Sequence, residues 1–165
     1  MNIIKYFIIF LLNCSIIKSY ITNANFVIKA EQNTFNTILE KNNLCCHLQS
    51  SRIKTFSSAM NKLSSMKSND IYDIHDLIAF RYVFYEKEDL LKFFHHVKNE
   101  KHVWYSQNYI YKPKKNGYSA IHVRYKNQYK ECPIKQFECQ LYIINDYYNA
   151  IYGNATYNKN YMLYF

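Results

Sequence analysis

Apolar residues along this chain switch between two spacings. Over residues 25–44 they recur at Phe26, Ile28, Phe35, Ile38 and Leu39, the three-to-four-residue interval that lines one face of a helix. A second helix is predicted over 53–66, stopped by the polar Ser-Asn-Asp at 68–70. The run IAFRYVFY at 78–85 is β-branched and aromatic and predicts a buried strand. Residues 88–99 return to helical spacing through Leu90, Leu91, Phe94 and Val97, while 103–111 fits neither pattern. Strands are predicted over 120–125 and 136–144, joined by a hairpin loop at 127–133, and a last helix starts near 145. After Gly153 the pattern is weak, and no internal repeat or linker is visible. Helices first, then strands with helices between them, predict an α+β domain with a mixed central sheet.

The N-terminus follows a different rule. After Lys5 an apolar run covers 6–12, and Asn13, Cys14 and Ser15 break it before Ile16 and Ile17. A membrane span needs roughly 20 apolar residues, and this run is shorter and interrupted. It reads as a signal peptide over 1–22, cleaved somewhere in 19–24, with an uncleaved anchor or a buried first helix as the other readings. A leader of this kind sends the chain into the secretory pathway, to be secreted or routed to a plastid-like organelle. The domain then occupies 25–160, and no stable membrane span is expected after cleavage. Cys14 leaves with the leader. Cys45, Cys46, Cys132 and Cys139 have no C-x-x-C spacing and no zinc-like spacing with His. They read as small core residues, able to pair in an oxidising compartment.

Composition changes the weight of each motif. The chain has 165 residues, 49% of them apolar, and a net charge of +9 with His neutral. That length suits one domain with a real core. A basic surface attracts nucleic acid, nucleotides or anionic membrane without choosing among them, and a merely Lys-rich, solvated surface gives the same charge. Tyr (18) and Phe (11) are abundant, as are Asn and Lys, so a match at Tyr, Asn or Lys says little. Gly and Pro occur twice each, and one of each falls in YIYKPKKNGYSAIHVRY at 109–125. Pro113 restricts φ and Gly117 permits a positive φ and a close backbone approach. Between them lie Lys114, Lys115 and Asn116, and Tyr118 follows. This is a phosphate-and-base clamp or a plain turn ahead of a strand.

Two carboxylates stand at strand positions. Asp76 precedes the strand at 78–85 and Glu138 lies inside the strand at 136–144. On adjacent strands they would meet and could hold Mg²⁺, which takes oxygen ligands and leaves room for phosphate. A turn residue and a solvent-facing alternation are the structural alternatives. Arg52, Lys54 and Lys62 lie on or just before the second helix, with Ser58 among them, and Arg81 interrupts an apolar strand. A buried Arg needs a carboxylate, an anion or an aromatic partner. With Lys112, Lys114, Lys115 and His122, these groups could surround a polyphosphate.

These pieces, in this order, resemble the synthetase domain of the RelA/SpoT family, which makes (p)ppGpp. The matching stretches are RIKTFSSAMNK (52–62), IHDLIAFR (74–81), NYIYKPKKNGYSAIH (108–122), FECQL (137–141) and, more weakly, AIYGNA (150–155). The resemblance implies a nucleotidyltransferase-like fold, and transfer of the β,γ-pyrophosphate of ATP to the 3′-OH of GDP or GTP. It implies that Asp76 and Glu138 hold Mg²⁺, with Glu138 activating the 3′-OH. Arg52 and Arg81 would sandwich adenine, and Lys54, Ser58 and Lys62 would serve the ATP phosphates. Tyr118 would stack on guanine, with Lys114, Asn116, His122 and Gln140 around the acceptor nucleotide.

Departures from the family pattern leave other outcomes open. The family's R-x-K-D before Y-I is here Tyr105, Ser106, Gln107 and Asn108, and the Arg after E-x-Q-x is here Tyr142. Three cations are missing near a polyphosphate. The chain could be a degenerate nucleotide-binding relative, or could use another acceptor such as an adenine nucleotide or a tRNA 3′ end. His75-Asp76 is an H-D pair, but its strand-end context assigns Asp76 to the synthetase pattern. Oligomerisation is possible.

Overall fold

The computed structural model of the protein describes residues 3–66 and 68–152, with the side chains of 15, 17–66 and 68–152. The opening apolar run and the first predicted helix form one element, α1 (Ile3–Lys41). It ends at Asn43, whose φ of 50° is the left-handed turn that Asn tolerates at a helix end. Next comes β1 (Cys46–Ile53), where no strand was expected. Its sequence CHLQSSRI has too few apolar residues to show a strand period. The second helix accordingly starts later than predicted, as α2 (Phe56–Ser64), and the hydroxyl of Thr55 caps it by accepting from the Ser58 amide.

A single 3₁₀ turn (Ile71–Asp73) leads to β2 (Ile78–Phe84), then α3 (Lys87–Lys98). The ambiguous stretch becomes β3 (Val103–Asn108). The two predicted hairpin strands are β4 (Ile121–Lys126) and β5 (Gln136–Ile143), and α4 (Ile144–Tyr152) follows directly. Of the weak motif at 150–155, residues 153–155 lie outside the described residues, as do 153–160 of the expected domain.

The five strands form one mixed sheet in the order β1-β2-β5-β4-β3. Only β2 and β5 run parallel; the other three pairs are antiparallel. Alternation along each strand separates two faces. One face carries Ile78, Phe80, Tyr82 and Phe84 of β2, Ile121, Val123 and Tyr125 of β4, and Phe137, Cys139 and Leu141 of β5. Helices α1 and α3 cover it, supplying Val27, Phe35 and Leu39, and Leu90, Phe93 and Val97. Phe35 is its centre, with ring centroids 5.3 Å from Phe80, 5.5 Å from Tyr82, 6.2 Å from Phe93 and 5.7 Å from Tyr125.

The core reaches into the predicted leader. Tyr20 is 2% exposed, and its hydroxyl donates to the Lys54 carbonyl at 2.5 Å. Among the described residues no helix is long and apolar enough to cross a membrane. Cys139 is buried, Cys46 and Cys132 are half-buried against the same core, and Cys45 is exposed; all four are free thiols.

Truncating the central ring tests this packing. Phe35→Ala should destabilise the fold by about 3–5 kcal/mol, read as a lower urea midpoint at unchanged slope.

Candidate active site

The other face of the sheet is polar, and the strand register determines what meets there. Ala79 of β2 pairs with Glu138 of β5, which pairs with Arg124 of β4, which pairs with Tyr105 of β3. One row on, Ser50, Arg81, Gln140, His122 and Gln107 stand side by side across the five strands. Parallel pairing of β2 with β5 therefore brings the entry of β2, where Asp76 sits, towards Glu138.

Glu138 is 3% exposed, so it is not a solvent-facing alternation residue. Its Oε1 accepts from Gln140 Nε2 at 2.8 Å and lies 3.1 Å from His122 Nδ1, and its Oε2 accepts from Arg124 Nε at 3.1 Å. The pattern continues as a closed circuit. His122 Nε2 is 2.8 Å from the Tyr118 hydroxyl, which is 2.8 Å from the Tyr142 hydroxyl. Tyr142 in turn lies 3.4 Å from Gln140 Oε1. With the Tyr142 hydroxyl donating to Gln140 Oε1, its oxygen accepts from Tyr118, and the imidazole is held at both ring nitrogens, by Glu138 and by the Tyr118 hydroxyl. Burial pushes the Glu138 carboxyl upward, but His122, Gln140 and Arg124 outweigh it and hold the group well below the usual carboxylate range.

Asp76 is gripped from the other side. Lys54 Nζ lies 3.1 Å from its Oδ2, and Lys62 Nζ donates to its Oδ1 at 2.6 Å. Lys54 follows the end of β1, where its amide donates to the Leu77 carbonyl at 2.8 Å. Lys62 projects from α2. Burial again raises the Asp76 carboxyl, and the two lysines reverse the shift and lower it. His75 feels both carboxylates. Burial, Lys62 and Arg124 push its pKa down, against the upward pull of Asp76 and Glu138.

The remaining expected residues divide by side. Arg52 and Arg81 share the polar face of the adjacent strands β1 and β2. The Arg81 guanidinium lies 5.8 Å from the Tyr142 ring and 5.3 Å from the Tyr147 ring, so this half-buried Arg has aromatic partners. Ser58 is tied into the α2 cap, accepting from Thr55 Oγ1 at 2.8 Å. Between β3 and β4, the 109–120 loop closes on itself. Lys114 N donates to the Tyr118 carbonyl at 3.0 Å, Gly117 N to the Lys114 carbonyl at 2.8 Å, and Tyr118 N to Asn116 Oδ1 at 3.2 Å. Gly117 takes φ 79°, the value glycine adopts without strain. Lys114 Nζ sits 4.6 Å from the Tyr109 ring centroid and 5.6 Å from that of Tyr118.

Tyr118 differs most from its expected role. It is 2% exposed and wedged among Tyr109, His122 and Tyr142. As folded here its ring has no open face for a base. Two neighbours were missed altogether. Arg124 is one, visible only as a cation two residues after His122. The other is Tyr147 of α4, which nothing in the sequence marks.

Among the described residues no three His, Cys, Asp or Glu side chains converge as a metal cluster. Two ionised carboxylates remain, and they fit Mg²⁺, which commonly takes one or two carboxylates and completes its shell with water and phosphate oxygens.

The depressed Glu138 carboxyl has a pH signature. Its ordinary value is 4.5, so its contacts stabilise the fold above that pH and are lost as pH falls below it towards the folded pKa. The urea midpoint should drop between about pH 5 and about pH 3, and Glu138→Gln should flatten that drop.

The comparisons with known proteins agree with this architecture. No curated protein matches the chain. Its fold is similar to that of small alarmone synthetase 2 from Bacillus subtilis, with a TM-score of 0.67 and 24% identity over 77% of this chain and 72% of that one. It is similar also to a GTP pyrophosphokinase family protein from Streptococcus pneumoniae, with a TM-score of 0.65 and 16% identity over 82% of this chain and 71% of that one. For small alarmone synthetase 1 from Bacillus subtilis bound to its product pppGpp, the TM-score is 0.59 and the identity 20%, over 74% of this chain and 69% of that one. Residues 51–160, which hold every carboxylate and cation of the site, match the family model described as a region found in RelA / SpoT proteins, and the chain belongs to the RelA/SpoT family.

Proposed function

We propose that this chain is a small pyrophosphotransferase that moves the β,γ-pyrophosphate of ATP to the 3′-OH of GDP or GTP. The observation that carries the reading is the buried, ionised Glu138 at the boundary of two differently built halves. On the β1–β2 side stand Arg52, Arg81, Lys54 and Lys62, a set suited to adenine and a triphosphate. On the β4 side stand His122, Tyr118, Asn116 and Lys114, a set suited to a second nucleotide. The fold neighbours support the pairing: small alarmone synthetase 1 from Bacillus subtilis has been solved bound to its product pppGpp and bound to AMPCPP.

Within this reading Lys54 and Lys62 turn from Asp76 to the ATP phosphates, because phosphoryl transfer is catalysed by positioning and by charge placed around the moving group. Arg52 and Arg81 hold the adenine ring by stacking, which a planar guanidinium does well. Mg²⁺, held by Asp76 and Glu138, would neutralise charge on the phosphate oxygens. Glu138 receives the 3′-OH of the acceptor as a hydrogen-bond acceptor. Its low pKa makes it better at orienting that hydroxyl than at keeping its proton. Guanine stacks on Tyr118 once the 109–120 loop swings outward and opens the ring.

A second reading is a degenerate relative that binds nucleotide without turning it over. Gln107 and Tyr142 stand where the family pattern has cations, which thins the grip on a polyphosphate.

Residues 1–22 would direct the chain to the secretory pathway, and cleavage after Tyr20 would remove the bond to Lys54 that supports the donor side. N-terminal sequencing of the mature chain should find a new terminus within 19–24; an intact Met1 terminus would contradict cleavage.

The transfer itself is tested with γ-labelled ATP, Mg²⁺ and separate GDP, GTP, AMP and tRNA acceptors. Label should appear on GDP or GTP, and Asp76→Ala and Glu138→Gln should each lower the rate by about a hundredfold or more. Label on AMP or tRNA alone would move the acceptor, and none from a folded protein that binds GDP would favour the second reading.

A further inference from the structure

We propose that Arg124 binds a phosphate of the acceptor nucleotide with one edge of its guanidinium while the other edge holds Glu138 in place. Arg124 is the central residue of the ladder row from Glu138 to Tyr105. Its Nε donates to Glu138 Oε2 at 3.1 Å, and its guanidinium lies 4.6 Å from the centroid of the Tyr105 ring. These two contacts fix both the position and the plane of the group. An Arg guanidinium has five N–H donors in a rigid fork. One of them is used here, and Glu138 is its only hydrogen-bonding or ion-pair partner among the described residues. The side chain remains 21% exposed on the polar face. A pre-oriented, permanently charged fork with an accessible edge suits a bidentate oxyanion, and phosphate matches it in geometry.

Its side of the sheet identifies which phosphate. The strand order puts β4 and β3 on one side of Glu138, and β2 and β1 on the other. Arg52, Arg81, Lys54 and Lys62 lie on the β1–β2 side. Arg124 shares its strand with His122 and lies on the acceptor side. The ligand is thus the 5′-phosphate group of a guanosine di- or triphosphate, and the inference rests on the proposed acceptor site. Arg124 also explains how a chain with Tyr105 and Gln107 facing the same space keeps a cation there. The ladder partner supplies it from the neighbouring strand.

Equilibrium binding tests this without requiring turnover. Titration calorimetry of the full chain with Mg²⁺ would compare GDP, guanosine and ATP. Arg124→Ala should weaken GDP binding by about tenfold or more while leaving guanosine and ATP within about twofold. Arg124→Lys, which keeps the charge beside Glu138 but not the fork, should fall between, and it carries the test if the alanine variant does not fold. Tyr105→Arg places a guanidinium directly across the ladder, so adding it to Arg124→Ala should recover GDP affinity. Equal weakening of guanosine and GDP, weakening of ATP, or GDP binding that ignores Arg124 would each overturn the inference. A wild-type chain that binds no GDP would overturn both this inference and the acceptor site. A chain that binds GDP through Arg124 but transfers no label would leave the inference standing and remove only the proposed activity.

Discussion

Glu138 is an ionised carboxylate buried in the middle of a sheet face, and the cost of desolvating it dictates its surroundings. Taking a carboxylate out of water costs several kcal/mol even after relaxation. Charge-assisted hydrogen bonds return about 1.5–3 kcal/mol each, and three side chains supply them here. His122 and Arg124 come from the antiparallel neighbour β4, and Gln140 from the same strand two residues on. Tyr118 and Tyr142 then complete the hydrogen bonds of His122 and Gln140. A whole layer of the polar face serves to keep one buried charge satisfied.

The rest of the fold presents that layer. Aromatic packing around Phe35 stacks α1 and α3 on one side of the sheet, while α4 and the 109–120 loop cover part of the other. The single parallel pairing, β2 with β5, aligns Ala79 with Glu138 and so aims the Asp76 end of β2 at the same space. Asp76 carries the same physics as Glu138, with lysines in place of the imidazole and guanidinium. Each carboxylate is thus held ionised by the basic side chains beside it. The two halves of the site meet at Glu138, and His75 feels the charges of both.

Much of this was legible in the residues. The cores of β2, β4 and β5 and the apolar stripe of α3 are dense enough in hydrophobic side chains to show their period. The scarce Gly117 and Pro113 marked a shaped loop. Edge strands β1 and β3 were not legible, because each is paired on one side only and half-exposed, and CHLQSSRI and VWYSQN are dominated by polar or mixed positions. Arg52 consequently looked like the approach to a helix and stands near the end of a strand. Position 142 looked like a lost cation, yet its hydroxyl joins the circuit and its ring receives Arg81. Positions 105 and 107 also looked like losses. The compensating Arg124 becomes visible only through strand register, which a linear motif does not contain. The burial of Tyr118 is likewise a tertiary fact, created by Tyr109 and Tyr142 together.

The most direct test is a crystal structure of the chain with Mg²⁺, a non-hydrolysable ATP analogue and GDP bound at once. The adenine nucleotide should lie between Arg52 and Arg81 and the guanine nucleotide beside Tyr118 and Arg124. The metal should lie between Asp76 and Glu138, with the GDP 3′-OH at the Glu138 carboxylate. Both nucleotides on one side of Glu138, or a metal bound away from the two carboxylates, would contradict it.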